Sequence, residues 1–362
     1  MGIDLILDKY IKYMYYMNDC GNDCKMKNTV KHATINDIAV KLGISTSTVS
    51  RALNDHPDIK IETKEIVRKI AEELKYTPNT LAKSLKNNRS TTIGVIVPEI
   101  KHDFFSSAIS GIEKVAYESG YTIILCQSNE SYEREIINTN VLIHHRVAGV
   151  IVSISQNTKN GDHFQDLLRR KIPLVFFDRV CDDVMASKVM IDDYACAFHA
   201  VTYLVSRGYK RIAHFAGPKE LFVCKKRLNG YYDALTQAKL FSMDGFVRYG
   251  GMHEQDGYNS MDAMIKENVL PDAVFAVNDP VALGAYQRIK EAKLKIPDDV
   301  AIMGFSNNIV TSLVDPPITT IDQPSFEMVR KAAEILIQTI EGKLLEPKTL
   351  ILDGTLIVRG ST

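Results

Sequence analysis

The sequence predicts an all-α helix-turn-helix head joined to an α/β two-lobed core of two doubly wound parallel sheets. Three observations lead there. Residues 34–54 read as two short helices broken at Gly43, with hydroxyl residues crowding the second. Beyond residue 91, short apolar runs alternate with amphipathic helical stretches, the pattern of parallel strands covered on both faces. About 270 residues follow that point, too many for one small core and suited to two lobes.

In the head, Thr34 is placed to cap a first helix, with Asp37 three positions on in a variant of the capping box. Ile38, Ala39 and Leu42 share one face of that helix, and Gly43 gives the conformational freedom for a turn. Ser45 then caps a second helix in which Val49 and Leu53 point inward, leaving Thr46, Ser47, Ser50 and Arg51 on the open side. Short hydroxyls suit phosphates, and an arginine can take guanine O6 and N7 with two bonds in the major groove. An ordinary surface helix with capping serines is the plainer alternative for this segment taken alone. A third amphipathic helix is predicted over 61–75, with Ile66, Ile70 and Leu74 covering the first two. After Tyr76-Thr-Pro78, the stretch Asn79–Ser90 is helical by propensity but only about two turns long, which is marginal in water by itself.

Charge is divided unevenly. The whole chain is formally neutral, yet residues 25–90 hold thirteen Lys plus Arg against seven Asp plus Glu, a net of +6 that leaves −6 for the remainder. A basic head on an acidic body directs the head to a polyanion and makes binding salt-sensitive, although a charge run can also be a solvated face.

The core begins with the apolar strand Thr92–Val97 and a helix from about Phe104 to Ser119. Strand signals follow at Tyr121–Cys126, Val147–Ser153 and Pro173–Phe177, with helices near 131–145 and 163–170 between them. A second set starts after Asp192, with strands at Ile212–Phe215, Phe246–Tyr249, Ala273–Val277 and Val300–Phe305. Open α/β sheets bind ligands outside the carboxyl ends of their strands. On that ground the candidates are Phe104, Phe105, Asp178, Arg179, Asn278, Asp279, Ser306 and Asn307. Paired donors and acceptors with an aromatic face would suit a sugar or a nucleobase. Each also has a plainer role: Asp178 or Asp279 can cap a following segment, and Phe105 can be core.

The chain resembles a LacI-type (lactose-repressor/GalR) family transcriptional regulator, from about residue 33 onward. The resemblance is carried by Thr34-Ile-Asn-Asp-Ile-Ala39, Ser45-Thr-Ser-Thr-Val-Ser-Arg-Ala-Leu-Asn54, Tyr76-Thr-Pro-Asn79, Ala82-Lys-Ser-Leu85 and Ile93-Gly-Val-Ile-Val-Pro98. It implies a DNA-binding head over 33–78, with Thr34, Ser45, Thr46, Ser47, Ser50, Arg51 and Asn54 at the DNA and Thr46, Ser47 and Arg51 in the base-reading positions. It implies a hinge helix and linker over 79–91, where Asn79, Lys83 and Lys86 accompany Leu85 as a minor-groove wedge. It implies a periplasmic-binding-protein-like effector and dimerisation core over 92–362, with lobe 1 at about 92–190 and 324–349 and lobe 2 at about 191–323 and 350–362. Three crossovers then fall near 190, near Thr320–Pro324 and near 350, and Arg227 and Gln323 join the cleft.

The expected partners are a near-palindromic double-stranded operator, a second copy of the chain in a homodimer, and a sugar-like small-molecule effector. Two departures bear on that effector. Many relatives carry an aspartate where this chain has Ser306, and Leu221 and Val223 are apolar where purine-binding relatives are polar. A ligand unlike lactose or a purine, or none, stays open.

Enzyme motifs are missing: there is no Walker loop, no Gly-x-Ser-x-Gly elbow and no His-Glu-x-x-His. No cofactor and no metal is expected, since the six cysteines lack Cys-x-x-Cys spacing and His144-His145 has no ligand-type partner. The thiols read as reduced and the protein as cytoplasmic, at the nucleoid, with no transmembrane run and no basic leader. Residues 1–32 read as a disordered extension, and Met26-Lys-Asn as a natural family start. A cytoplasmic solute-binding sensor without DNA is the competing function, and the head and hinge are what discriminate against it.

Overall fold

The structure is a computed structural model describing residues 33–76 and 90–362. The expected extension 1–32 and hinge residues Asn79, Lys83, Leu85 and Lys86 lie outside the described residues. The chain divides into two compact units at about residue 87.

The head holds α1 (Ile35–Leu42), α2 (Thr46–Leu53) and α3 (Ile61–Glu73). Thr34 and Asp37 close the capping box in both directions, with Thr34 N donating to Asp37 Oδ2 at 2.7 Å and Asp37 N to Thr34 Oγ1 at 3.3 Å. Gly43 takes the left-handed conformation, φ 63°, that ends α1, and Ser45 Oγ accepts from Thr48 N at 3.1 Å to start α2. Ile38, Ala39, Val49, Ala52, Val67 and Ala71 form the core of this unit. The inward stripe of α3 is Val67, Ile70, Ala71 and Leu74, whereas Ile66 is 53% exposed, against the expected packing of Ile66. Steps of four drift by about 40° each around a helix, so Ile66, Ile70 and Leu74 cannot all face one seam. Lys41 Nζ reaches Glu73 Oε2 at 2.8 Å, and Arg68 grips both oxygens of Asp55, tying α3 to α1 and to the end of α2.

The second unit runs β1 (Thr92–Val97), α4 (Asp103–Glu118), β2 (Thr122–Gln127), α5 (Tyr132–His144), β3 (Gly149–Val152), α6 (Asp162–Arg169), β4 (Leu174–Phe177) and β5 (Ser187–Ile191). It continues with α7 (Asp193–Ser206), β6 (Ile212–Gly217), α8 (Phe222–Gln237), β7 (Val247–Tyr249), α9 (Glu254–Lys266), β8 (Ala273–Ala276), α10 (Asp279–Glu291) and β9 (Ala301–Met303). Last come α11 (Ile309–Leu313), β10 (Thr320–Asp322), α12 (Ser325–Ile340), β11 (Thr349–Leu352) and β12 (Thr355–Ile357).

Two parallel sheets result, ordered β11-β5-β4-β3-β1-β2 and β7-β6-β8-β9. The inner strands are buried on both faces, whereas the edge strands β2, β7 and β11 are partly exposed, and successive side chains feed opposite layers. Ile93, Val95 and Val97 pack with Phe105, Ile112 and α12, while Ile96 packs with Leu142, Val150 and Phe164 on the other side.

The chain passes between the sheets three times. It leaves β5 at Asp192 for α7 and β6, returns after β10 through Pro324 into α12, and leaves again after β11. The third passage falls after Leu352, because Thr349–Leu352 pairs in register with Lys188–Ile191 of the first sheet. Residues 350–352 therefore belong to the first sheet, a small correction to the boundary at 350. β12 then pairs antiparallel with β10, whose flanks bridge to the β9 segment of the second sheet, Met303 with Thr319 and Ser306 with Asp322. Among the described residues no helix is long and apolar enough to cross a membrane.

Candidate functional site

The open face of α2 presents Thr46, Ser47 and Arg51 to solvent, with Ser50 half-buried beside them. Thr34 and Ser45 spend their oxygens on caps, and Asn54 Nδ2 donates back to Ser50 O at 2.8 Å. Ser45 Oγ also lies 2.7 Å from Ser47 Oγ. Arg51 is the strongest donor on that face, and the burial of Val49 and Ala52 beneath fixes the direction in which it projects.

Between the two sheets lies a cavity with about 540 Å³ of empty volume, part of it open to solvent. Phe104, Phe105, Asp178, Arg179, Arg227, Asn278, Ser306 and Gln323 line it, all of them cleft candidates from the sequence. Each is aimed by its element. Asp178 and Ser306 follow strand ends in positive-φ conformations, 58° and 114°, which turn their side chains out of the sheet plane. Asn278 caps α10, accepting from Val281 N at 3.0 Å while its amide donates to Met252 O at 2.9 Å. Gln323, on the second crossover, accepts from Ser306 Oγ at 2.7 Å and donates to Asp178 Oδ1 at 3.5 Å, joining residues of both lobes.

Both cleft guanidiniums are already neutralised. Arg179 Nη1 lies 2.9 and 3.1 Å from the two oxygens of Glu130, with the Phe105 ring 5.5 Å from the guanidinium carbon. Arg227 donates to Asp193 Oδ1 at 2.8 Å and to Val277 O, and stacks 3.6 Å over the Phe305 ring. Burial pushes the Asp193 carboxyl up to about 6, opposed by Arg227, and burial likewise raises Asp178 against the pull of Arg179 and Arg227.

The strand-end rule also selects Asp279 and Asn307, and the structure turns both away from the cavity. Asp279 is fully buried and accepts from Asn308 N at 2.6 Å and Thr320 Oγ1 at 2.7 Å; burial raises its carboxyl to about 6. Asn307 donates to Asp322 Oδ1 at 2.9 Å and accepts from Arg359 Nη2 at 2.6 Å. These two fasten the crossover strands instead of facing a ligand. Val223, noted in the sequence for its apolar character, also lines the cavity, and the residues that sequence reasoning passes over are Glu99, His102, Met252, Pro280 and Asn308, which complete the lining. Glu130 and Asp193 are missed as well. Glu99 and His102 follow β1, and Pro280 and Asn308 come directly after the selected pairs Asn278-Asp279 and Ser306-Asn307, so the strand-end rule carried a readable signal for these four.

Two family models match: "Bacterial regulatory proteins, lacI family" over residues 34–79, and "Periplasmic binding proteins and sugar binding domain of LacI family" over residues 90–354. The HTH-type transcriptional repressor CytR of Escherichia coli (strain K12) is 34% identical over 338 residues, 93% of this chain and 98% of its own. The repressor PurR of Vibrio atlanticus (strain LGP32) is 33% identical, over 91% of this chain and 98% of its own. The structure of the lac repressor dimer bound to operator and the anti-inducer ONPF gives a TM-score of 0.81 at 25% identity, over 91% of this chain and 99% of that one. The CelR–cellobiose complex gives 0.70 at 28% identity, over 91% and 100%. With one model on the head, another on the core, and relatives matched along nine-tenths of its length, the chain belongs to the LacI family of bacterial regulatory proteins.

Proposed function

We propose that this chain is a sequence-specific transcriptional repressor that binds a near-palindromic operator as a homodimer, in the cytoplasm, and is gated by a small molecule in the interlobe cleft. The observation that carries the reading is the recognition face of α2, with Thr46, Ser47 and Arg51 exposed on a head joined to a two-lobed cleft. The repressors CytR and PurR, similar along almost their whole length, support it.

The effector is a neutral sugar or sugar derivative. Arg179 and Arg227 already hold Glu130 and Asp193, so no unbalanced guanidinium remains for a phosphate or carboxylate. Asp178, Asn278, Ser306 and Gln323 supply acceptors and donors for hydroxyls, and Phe104 and Met252 supply apolar surface for a ring. The CelR complex with cellobiose is consistent with that chemistry. In the hinge, Leu85 is the proposed wedge, and Leu85→Ala is expected to reduce operator bending while leaving effector binding intact.

The test is a mobility-shift assay on an operator recovered by genomic footprinting. Arg51→Ala is expected to lose about 1 to 3 kcal/mol on the specific site. Its salt slope should stay near that of the wild type, because a base contact and not a phosphate contact has gone. Unchanged specific affinity would overturn the assignment. For the cleft, a thermal-shift screen should find stabilisation by a neutral sugar and none by its phosphorylated form.

A further inference from the structure

We propose that the mouth of the cleft is a divalent transition-metal site, suited to Zn²⁺, in which Glu99 and His102 of the first lobe and His253 of the second bind one ion. One ligand atom from each of the three residues can be chosen so that all lie within 4.8 Å of one another. Ligands about 2.0–2.2 Å from a tetrahedral ion stand roughly 3.5 Å apart, within reach of side-chain adjustment. Two imidazoles and a carboxylate are the donor set that zinc favours over calcium or magnesium. The sequence conceals the set, because His253 comes about 150 residues after the Glu99-x-x-His102 pair.

The surroundings are organised for the ion. His102 stands at the start of α4 and is 8% exposed; His253 stands at the start of α9, and its backbone N–H is held by Asp256 Oδ2 at 3.0 Å. The two imidazole rings lie nearly parallel, 5.8 Å apart. Glu99 hydrogen-bonds His102 Nδ1, and Glu254 Oε1 stands 3.3 Å from His102 Nε2, so a second carboxylate is ready to orient an imidazole or to ligate. Lys101, 3.5 Å from Glu254, offsets one of the two carboxylates and leaves the other for a cation.

The ligands come from both lobes, so the ion binds the closed arrangement better than the open one. Metal and effector then favour each other by linkage. Three protein donors leave a tetrahedral ion one position for water or for an oxygen of the effector, whose cavity Glu99 and His102 also line. None of this depends on the DNA-binding reading, and its test uses neither operator nor effector.

The full chain, stripped with chelator, is titrated with ZnCl₂ by calorimetry and with CoCl₂ by visible absorption. The wild type is expected to bind one more equivalent than a His102→Ala/His253→Ala double variant. Its cobalt spectrum should lack a thiolate charge-transfer band, which separates this site from the cysteines. Zinc should raise the melting temperature of the wild type and shrink its radius of gyration in X-ray scattering, with neither effect in the double variant. Glu99→Gln keeps the side chain's size and should weaken binding by at least about tenfold, which gives a second reading should the alanine variant fold poorly by far-UV circular dichroism. Equal uptake by the wild type and either variant overturns the site. Binding that survives His253→Ala unchanged makes the ion a one-lobe ligand and overturns the bridge.

Discussion

His214 stands inside β6 with no exposed surface, its ring stacked between Tyr231 at 5.1 Å and Phe275 at 4.9 Å. Its Nδ1–H donates to Phe275 O at 2.8 Å, while Nε2 has no hydrogen-bond partner among the described residues. Burial therefore holds the imidazole neutral and lowers its pKa from 6.5 to about 4. The depressed value fixes the sign. Below pH 6.5 the unfolded chain takes up the proton that the folded chain refuses, so this residue's contribution to stability is present above that pH and lost as pH falls towards 4. The loss amounts to roughly 3 kcal/mol over that interval. His214→Phe removes the titrating group but keeps a ring in the stack, so urea unfolding should show the wild type losing about that much more than the variant between pH 7 and pH 4. Parallel pH profiles would show that His214 is protonated in the folded protein.

The crossing of α9 and α10 depends on two glycines. A Cβ on Gly284 would stand 1.7 Å from Glu254 O, and one on Gly257 would stand 1.9 Å from Val281 O, so each helix uses a missing side chain to approach the other's backbone. An exposed helix interior would gain about 1 kcal/mol from Gly→Ala. Here the sign should reverse: Gly284→Ala is expected to destabilise the core by about 3 kcal/mol, read as a lower denaturant midpoint. At this same scale the sequence was most readable. Thr34, Gly43 and Ser45 announce their caps through local chemistry, and β1, β4 and β8 announce themselves as apolar runs. The strands β5, β10, β11 and β12 were not legible, since Ser187–Ile191 and three-residue pieces such as Thr320–Asp322 take their conformation from partners distant in sequence. The cleft divides the same way. Asp178 and Asn278 look no different in sequence from Asn307 and Asp279, and only the turn after each strand decides which side chain meets the cavity. Glu130 and His253 come three and four residues after the ends of β2 and β7, past the first positions the strand-end rule selects, and Asp193 follows β5, a strand the sequence does not announce.

At the scale of the molecule, a two-fold operator requires two heads, and the core must supply the surface that pairs them. β2 is an edge of the first sheet, and its outer N–H and C=O groups have no ladder partner among the described strands. Leu125, in the middle of that strand, is 41% exposed. The flanking helices add Tyr117 on α4 and Ile137 and Val141 on α5, all exposed apolar side chains. Solitary exposed apolar residues need no explanation, but an unpaired edge with apolar residues on both covering helices is what a homodimer would bury. Leu125→Glu places a charge on that edge at little cost to the fold, because the site is already open to water. In sedimentation at micromolar concentration the variant should shift from dimer towards monomer. Its operator affinity should fall by at least about tenfold, since each half-site then binds its head without help from the other. A variant that stays fully dimeric would overturn the β2 interface and direct the search to other exposed apolar residues, such as Ile309, Val310 and Leu313 around α11 of the second lobe.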